Sequence, residues 1–247
     1  MRKGLPLLSL WLFACSGGDD NGVTPPDPLE YFHMAVGNWW TYEVDKGKGL
    51  DTASWSVDSL IETYHETLTI TAENAGVYTW VITYDNSSVE DTMGAFVKSD
   101  TLMLAFTKTF SLITDTFTIS DTVPYAPCPL SLGITWSSTE KLALIADIDG
   151  DMIDDTVYYH IYGKVEKIES LSLPPWQFDD CSRTLYEHHF RIISSAYGPV
   201  NTHLDQRIWW APNQGPVRWI DRDYRDTVDI YNPPFLVKNL SDMGGAK

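Results

Sequence analysis

The sequence is poor in positive charge, in cysteine and in long apolar runs. Its 17 Lys and Arg residues are outnumbered by 34 Asp and Glu residues, which gives a net charge of −17. Such a surface repels phosphate groups, which argues against nucleic acid as a partner and against binding through anionic lipid head groups. Three cysteines in 247 residues leave room for at most one internal disulfide. The longest apolar run, at residues 5–14, is too short to span a bilayer as a helix.

The short signatures of common active sites are also missing. The sequence has no H-E-x-x-H, no G-x-S-x-G, no phosphate-binding glycine loop and no C-x-x-C. On a strand, His188 and His189 would point to opposite faces, so the adjacent pair cannot chelate one metal ion. We therefore predict that the protein is not an enzyme and needs no cofactor other than the calcium considered below. An extracellular hydrolase with a site assembled from distant residues is an alternative.

The first thirty residues have the order expected of an exported, lipid-anchored protein. Arg2 and Lys3 precede the apolar run, which ends in Leu12-Phe13-Ala14-Cys15. This phrase resembles the lipobox of bacterial lipoproteins, which implies removal of residues 1–14 and acylation of Cys15, for example with palmitate. A chance cysteine after an ordinary signal peptide is the alternative. Residues 15–30 then form an acylated cysteine and a flexible tether rich in Gly, Pro and acidic residues.

The predicted anchor places the protein in the bacterial cell envelope, attached to a membrane through its lipid. Ser16 follows the cysteine where some lipoproteins have Asp, and this resembles lipoproteins sent to the outer membrane. The sequence leaves open which side of that membrane the protein faces. Two or more acyl chains are enough for stable attachment, at about 0.8 kcal/mol for each buried methylene.

Residues 31–247 have the composition of one folded domain, with 43% hydrophobic and 13% aromatic residues in the whole chain. Residues 65–71 and 77–84 alternate apolar and polar side chains with the period of a strand, and Asn74-Ala75-Gly76 separates them as a turn. Further strands are predicted at residues 101–106, 115–120, 135–145, 156–168, 183–194, 206–210 and 217–221. The fold class is therefore mainly β, as a single antiparallel domain in the form of a sandwich, a barrel or a curved half-barrel.

Several phrases resemble a group of uncharacterised exported bacterial lipoproteins. The opening phrase runs from Tyr31 to Tyr42 and is similar to Y-F-P-L-x-x-G-N-x-W-x-Y, with His33 in place of the proline. The second phrase is Pro129-Leu130-Ser131-Leu132-Gly133 with Trp136, and the third is Phe178-Asp179-Asp180-Cys181, with Trp176 before it where the group has Gly. The closing phrase is similar to W-x-A-P-x-x-G-x-V and includes Trp210-Ala211-Pro212-Asn213-Gln214-Gly215-Pro216-Val217. The resemblance implies a fold related to half-barrel carriers of lipids and lipoproteins. It implies no catalytic residue.

An acidic loop between two predicted strands is a candidate calcium site. Asp147, Asp149, Asp151 and Asp155 resemble the D-x-D-G-D-x-x-x-D loops that bind calcium in extracellular repeat proteins. Calcium takes six to eight oxygen ligands, which alternate acids on a tight loop can supply. Met152 stands where such loops have a glycine. The alternative is a hairpin turn that carries a solvated cluster of acids.

Cys128 and Cys181 remain as a candidate pair once Cys15 is acylated. In the oxidising space outside the cytoplasm they could form one disulfide, which would stabilise the fold by roughly 4 kcal/mol in the chain-entropy model. Two separate buried thiols are the alternative, because the sequence does not fix the distance between them.

Two tryptophan pairs, Trp39-Trp40 and Trp209-Trp210, suggest an aromatic patch. Neighbouring residues on a strand face opposite sides, so one indole of each pair would be exposed unless something covers it. The alternative is that tether, acyl chain or loop covers the second indole. We predict a binding or scaffolding role for an apolar ligand or an envelope protein; a carrier with an apolar cavity is one alternative and the hydrolase another.

Overall fold

The computed structural model describes residues 25–112, 115–147, 150–222 and 234–245. The predicted signal peptide, Cys15 and most of the tether lie outside these ranges, so their assignment stays a prediction. Within the described ranges no helix has the length and apolar character needed to cross a bilayer. Most of the described chain is in strands, and it contains almost no helix.

One short helix, α1, covers Pro28–Tyr31, and Asp27 caps it by accepting a hydrogen bond from the Leu29 amide at 2.8 Å. Thirteen strands follow within the described chain: β1 Trp39–Asp51, β2 Ser56–Asn74, β3 Val77–Tyr84, β4 Ser87–Lys98, β5 Thr101–Leu112, β6 Asp115–Pro127, β7 Thr135–Ser137, β8 Lys141–Ala146, β9 Asp155–Leu173, β10 Trp176–Ser194, β11 Gly198–Ala211, β12 Gly215–Arg222 and β13 Phe235–Gly244.

All the strands join one antiparallel sheet in the order β6-β5-β4-β3-β2-β1-β13-β12-β11-β10-β9-β7, with β8 also paired to β9. Consecutive strands are neighbours within each half, except that β7 and β8 both pair with β9. The pairing of β1 with β13 joins the halves. The sheet curves into a nearly closed barrel, so that β6 and β8 approach each other at its open seam. Lys141 Nζ lies 2.6 Å from Asp121 Oδ1 across this seam. The predicted antiparallel β domain is confirmed, and its form is the barrel.

The strand predictions match the structure where side chains alternate. In β9 and β10 nearly every second side chain is buried, as the period of two requires. The strand predicted at 135–145 is wrong in one respect, because it is two strands separated by residues 138–140. The specific predictions also omitted β1, β4 and β13. The alternation in β4 is weak because residues 87–92 are exposed on both faces.

The segment that runs from α1 into β1 and the β11–β12 turn together close one end of the barrel. Phe32 is fully buried, with its ring 5.4 Å from that of Trp210 in a T-shaped contact. The Asn213 amide donates to the Tyr31 carbonyl at 3.0 Å, and Trp40 Nε1 donates to the Gln214 carbonyl at 2.6 Å. The opening and closing phrases of the family resemblance therefore pack on each other as a structural cap.

Candidate functional site

The acidic loop is described except for residues 148 and 149, so Asp149 lies outside the described residues. The Asp147 carboxylate accepts hydrogen bonds from the Gly150 and Met152 amides at 2.7 and 2.8 Å. Met152 has a positive φ of 69°, so the loop makes its turn without the glycine usual at that place. Asp151 accepts from the Ile153 amide, and the buried Asp155 accepts from the Ser195 amide at 3.2 Å.

These contacts turn the described acids toward backbone amides of the loop and of the β10–β11 turn. That arrangement is what the hairpin-turn alternative requires. Among the described residues, Asp147, Asp151 and Asp155 do not bring their oxygens together as a group of metal ligands. The calcium site stays a prediction.

Cys128 and Cys181 are free thiols in the structure, with Cys181 buried and Cys128 half-buried. The disulfide between them stays a prediction. Burial, followed by the charges of Asp100 and Asp27, raises the pKa of the Cys128 thiol to about 11. Burial, followed by Glu169, Asp179 and Asp180, raises the pKa of the Cys181 thiol to about 12. Both groups are therefore protonated and unreactive near neutral pH.

The predicted aromatic patch is wrong, because Trp40, Trp209 and Trp210 are all fully buried. Trp210 points into the barrel, where its Nε1 donates to the Tyr186 hydroxyl at 3.2 Å. Trp209 points outward, but the β1–β2 loop folds over it and places the Trp55 ring 5.4 Å away. Trp39 is half-buried over Gly244. A loop therefore covers the outward-facing indole, and alternation along one strand could not reveal that cover.

The barrel contains a cavity of about 250 Å³, a feature that the carrier alternative requires, although the sequence did not indicate which residues line it. Its wall is drawn from strands of both halves of the sheet. The apolar and aromatic side chains that line it are Tyr42, Leu68, Trp80, Ile82, Tyr84, Met93, Leu104, Phe106, Tyr125, Ile161, Trp219 and Leu236. A concave, mainly apolar space with a few convergent polar groups is the usual form of a small-molecule site.

The charged and amide groups of the lining form bonds with one another. The two Glu66 oxygens accept from Lys238 Nζ at 2.8 and 2.7 Å, and Glu66 is only 3% exposed. Gln206 donates to Asp221 Oδ2 at 2.8 Å and accepts from the Tyr125 hydroxyl at 3.1 Å. These bonds satisfy Glu66, Lys238 and Gln206 within the lining, so none of the three calls for a charged ligand.

Buried polar atoms of the lining that lack a hydrogen-bond partner among the described residues include the indole nitrogen of Trp80. Trp80 is fully buried, and its Nε1 makes no hydrogen bond with any described group. A buried N–H without an acceptor costs about 1–3 kcal/mol. Trp80 has no exposed surface, even toward the cavity, so the preference for an apolar ligand rests on the apolar lining and not on this N–H.

A gap in the barrel wall lies beside this cavity. Strands β4 and β5 pair from Lys98 and Thr101 only as far as Gly94 and Ala105, within the described chain. Beyond that point β4 continues along β3 and β5 continues along β6. A second, open groove of about 640 Å³ lies here and shares four lining residues with the cavity, namely Thr92, Met93, Phe106 and Thr107. Since these residues come from both edges of the gap, the groove and the cavity lie next to each other at the gap.

Comparison with known proteins gives one distant likeness. No protein-family model matches the sequence, and no curated protein sequence matches it either. The chain is similar to a crystal structure described as that of a "putative lipoprotein" from Parabacteroides distasonis ATCC 8503. The TM-score is 0.47 at 14% sequence identity, and the match covers 85% of this chain and 96% of that one. At that distance no site residue carries over from one protein to the other.

Proposed function

We propose that this chain is a lipid-anchored protein of the bacterial envelope that binds a small, mainly apolar molecule inside its barrel without chemically changing it. The lipobox-like phrase at Cys15 supports the anchor. The cavity of about 250 Å³ is the observation that supports the binding role. This proposal makes the general binding role expected from the sequence more specific, and it makes the cavity the site in place of an exposed aromatic patch.

The size of the cavity limits its occupant. Sites for drug-sized ligands usually measure about 300–1,000 Å³. A cavity of about 250 Å³ lies just below that range, so it suits a small molecule and not a complete diacyl lipid or the lipid part of another lipoprotein. If the protein is a carrier, its ligand is therefore a small molecule or the end of a single acyl chain.

The binding test uses the mature chain with Cys15→Ser, which carries no acyl chain and therefore needs no detergent. The probe is N-phenyl-1-naphthylamine, a neutral aromatic amine whose fluorescence rises in an apolar site. We expect saturable binding of one probe per chain. Ile82→Phe places extra volume in the cavity lining, and we expect it to weaken binding at least tenfold, about 1.4 kcal/mol.

Ile193→Phe is the matched control, because Ile193 is exposed on the outside of β10 and the substitution is the same. Leu104→Phe is a second filling variant in case Ile82→Phe does not fold, which circular dichroism would show. Absence of saturable binding, or equal affinity in the filling and control variants, would contradict the proposal. The hydrolase alternative and a scaffolding role remain predictions from the sequence.

A further inference from the structure

Three of the six histidines form a row on the outer face of the barrel. In the sheet register, His189 of β10 is directly opposite His160 of β9 on one side and His203 of β11 on the other. The ring centroids of His160 and His189 are 4.7 Å apart, and those of His189 and His203 are 5.5 Å apart. Neighbouring residues of a strand face opposite sides, and His188, which precedes His189 on β10, is buried inside the barrel. The row therefore lies outside.

Two carboxylates occupy the next level on the same face. Glu187 is directly opposite Asp205, each two residues from a histidine of the row. Like charges directly opposite each other on adjacent strands destabilise a sheet. Glu187 Oε2 lies 3.0 Å from His189 Nε2, and Asp205 Oδ1 lies 3.6 Å from His203 Nε2. The structure therefore holds two acids and two imidazoles against one another at a place where a cation would relieve the repulsion.

We propose that Glu187, His203 and Asp205 bind a zinc ion between β10 and β11. One ligand atom from each of these three residues lies within 4.8 Å of the other two. Donor atoms around tetrahedral zinc lie about 3.3 Å apart, as follows from metal–ligand distances near 2.0–2.1 Å. The remaining approach needs only side-chain rotation, and His203 and Asp205 are about half exposed and free to make it.

The donor types select the kind of metal. An imidazole with carboxylates suits zinc and its transition-metal neighbours, whereas calcium and magnesium prefer oxygen ligands alone. Three protein ligands leave a fourth position to water. His189 hydrogen-bonds Glu187 and therefore acts as a positioning residue, as groups behind metal ligands commonly do. This site is separate from the interior cavity and does not depend on it.

Neighbouring charges leave room for a cation. Arg207 Nη1 lies 3.9 Å from Asp205 Oδ2, but the same guanidinium donates to both Glu166 oxygens at 3.1 and 3.2 Å. Its charge is thus shared mainly with Glu166. Two carboxylates would match the charge of one zinc ion.

Isothermal titration of the mature Cys15→Ser chain with zinc chloride, in a buffer that does not bind metals, tests the site. We expect one zinc ion per chain. His203→Ala, and separately Glu187→Gln with Asp205→Asn, should weaken binding about 10- to 100-fold or more. Zinc should also raise the melting temperature of the Cys15→Ser parent but not that of the parent carrying His203→Ala.

His65→Ala is the control, because His65 is also about half exposed on the sheet and lies 3.0 Å from a carboxylate, that of Asp85. This variant should bind zinc as the parent does. No binding at millimolar zinc, unchanged affinity in His203→Ala, or an equal loss in His65→Ala would each overturn the proposal. Calcium in excess should not displace the zinc, and displacement would also count against the site.

Discussion

The polar residues inside the barrel are the residues whose positions are hardest to predict from the sequence. The alternation at residues 65–71 correctly predicts one buried face, with Leu68 and Ile70 on it. Glu66 lies on that same face, and a buried carboxylate contradicts the simple pattern. Its partner Lys238 is 172 residues away, so no local signal connects the two. Pairing across the sheet, and not the character of either residue alone, explains why both are tolerated inside.

Lys238→Met should lower the free energy of unfolding by about 3–5 kcal/mol, because it leaves Glu66 as a buried charge without its cation. Urea denaturation followed by circular dichroism measures the change. The control is Lys46→Met, which breaks the Lys46–Glu62 pair at 3.5 Å, where Glu62 is well exposed. That loss should stay below about 1 kcal/mol. Equal losses of unfolding free energy in the two variants would contradict the burial of the Glu66–Lys238 pair.

Two buried tyrosines make stability depend on alkaline pH. Burial raises the pKa of Tyr42 well above its ordinary value, and burial followed by Tyr186 does the same for the pKa of Tyr125. The folded chain keeps a proton that the unfolded chain releases above about pH 10. Their contribution to stability is therefore complete below that pH and is lost as the pH rises.

We expect the urea midpoint to fall between about pH 9 and 11, and to fall less steeply in Tyr42→Phe. Tyr197→Phe is the control, because Tyr197 is exposed in the β10–β11 turn. It should reproduce the slope of the parent chain. A parent midpoint that does not change over this range would contradict burial of the two phenols.

At the scale of elements, the phrases that carry the family resemblance turn out to build the cap of the barrel. The opening phrase and the β11–β12 turn bond through Trp40 and Tyr42, which donate to the Gln214 and Pro216 carbonyls at 2.6 and 2.7 Å. The Ser182 hydroxyl, next to the Cys181 phrase, donates to the Leu130 carbonyl at 2.8 Å. In this chain the phrases therefore have a structural role in closing the barrel, and they do not identify a ligand.

Gly215→Ala should destabilise the protein by more than Gly76→Ala, and the difference isolates packing in the cap. Both glycines have nearly the same positive φ, 84° and 81°. An added Cβ at Gly215 would lie 2.8 Å from Trp40 Cζ2, whereas at Gly76 it would meet nothing within 4 Å. We expect about 1–2 kcal/mol for Gly76 from backbone strain, with about 1–3 kcal/mol more at Gly215. Equal losses in thermal or urea unfolding would contradict the contact.

At the scale of the whole molecule, the sequence predicts strands and their antiparallel class, whereas closure and the cavity come from long-range pairing. Residues such as Leu68, Trp80 and Leu236 give no local sign that they face one space, because they lie on different strands. The gap between β4 and β5 is equally hidden, since it depends on where a ladder ends. The histidine row was missed for the same reason, because its members meet only in the sheet register.

If the ligand enters through the gap between β4 and β5, blocking the gap should slow binding and release. Thr107→Trp places a large side chain at its edge, where Thr107 is exposed and lines both groove and cavity. Binding and release of N-phenyl-1-naphthylamine should both slow severalfold in stopped-flow fluorescence, with little change in the dissociation constant. Thr71→Trp, on the exposed face of β2, should leave both rates as in the parent. Association and release rates equal to those of the parent would mean that the ligand enters elsewhere.

The most direct test of the binding role is a crystal structure of the mature Cys15→Ser chain grown with N-phenyl-1-naphthylamine. We predict density for one probe molecule inside the barrel, against Trp80, Ile82 and Phe106, which line the cavity. A barrel whose interior is filled by its own side chains, or a probe found only on the outer surface, would contradict the account.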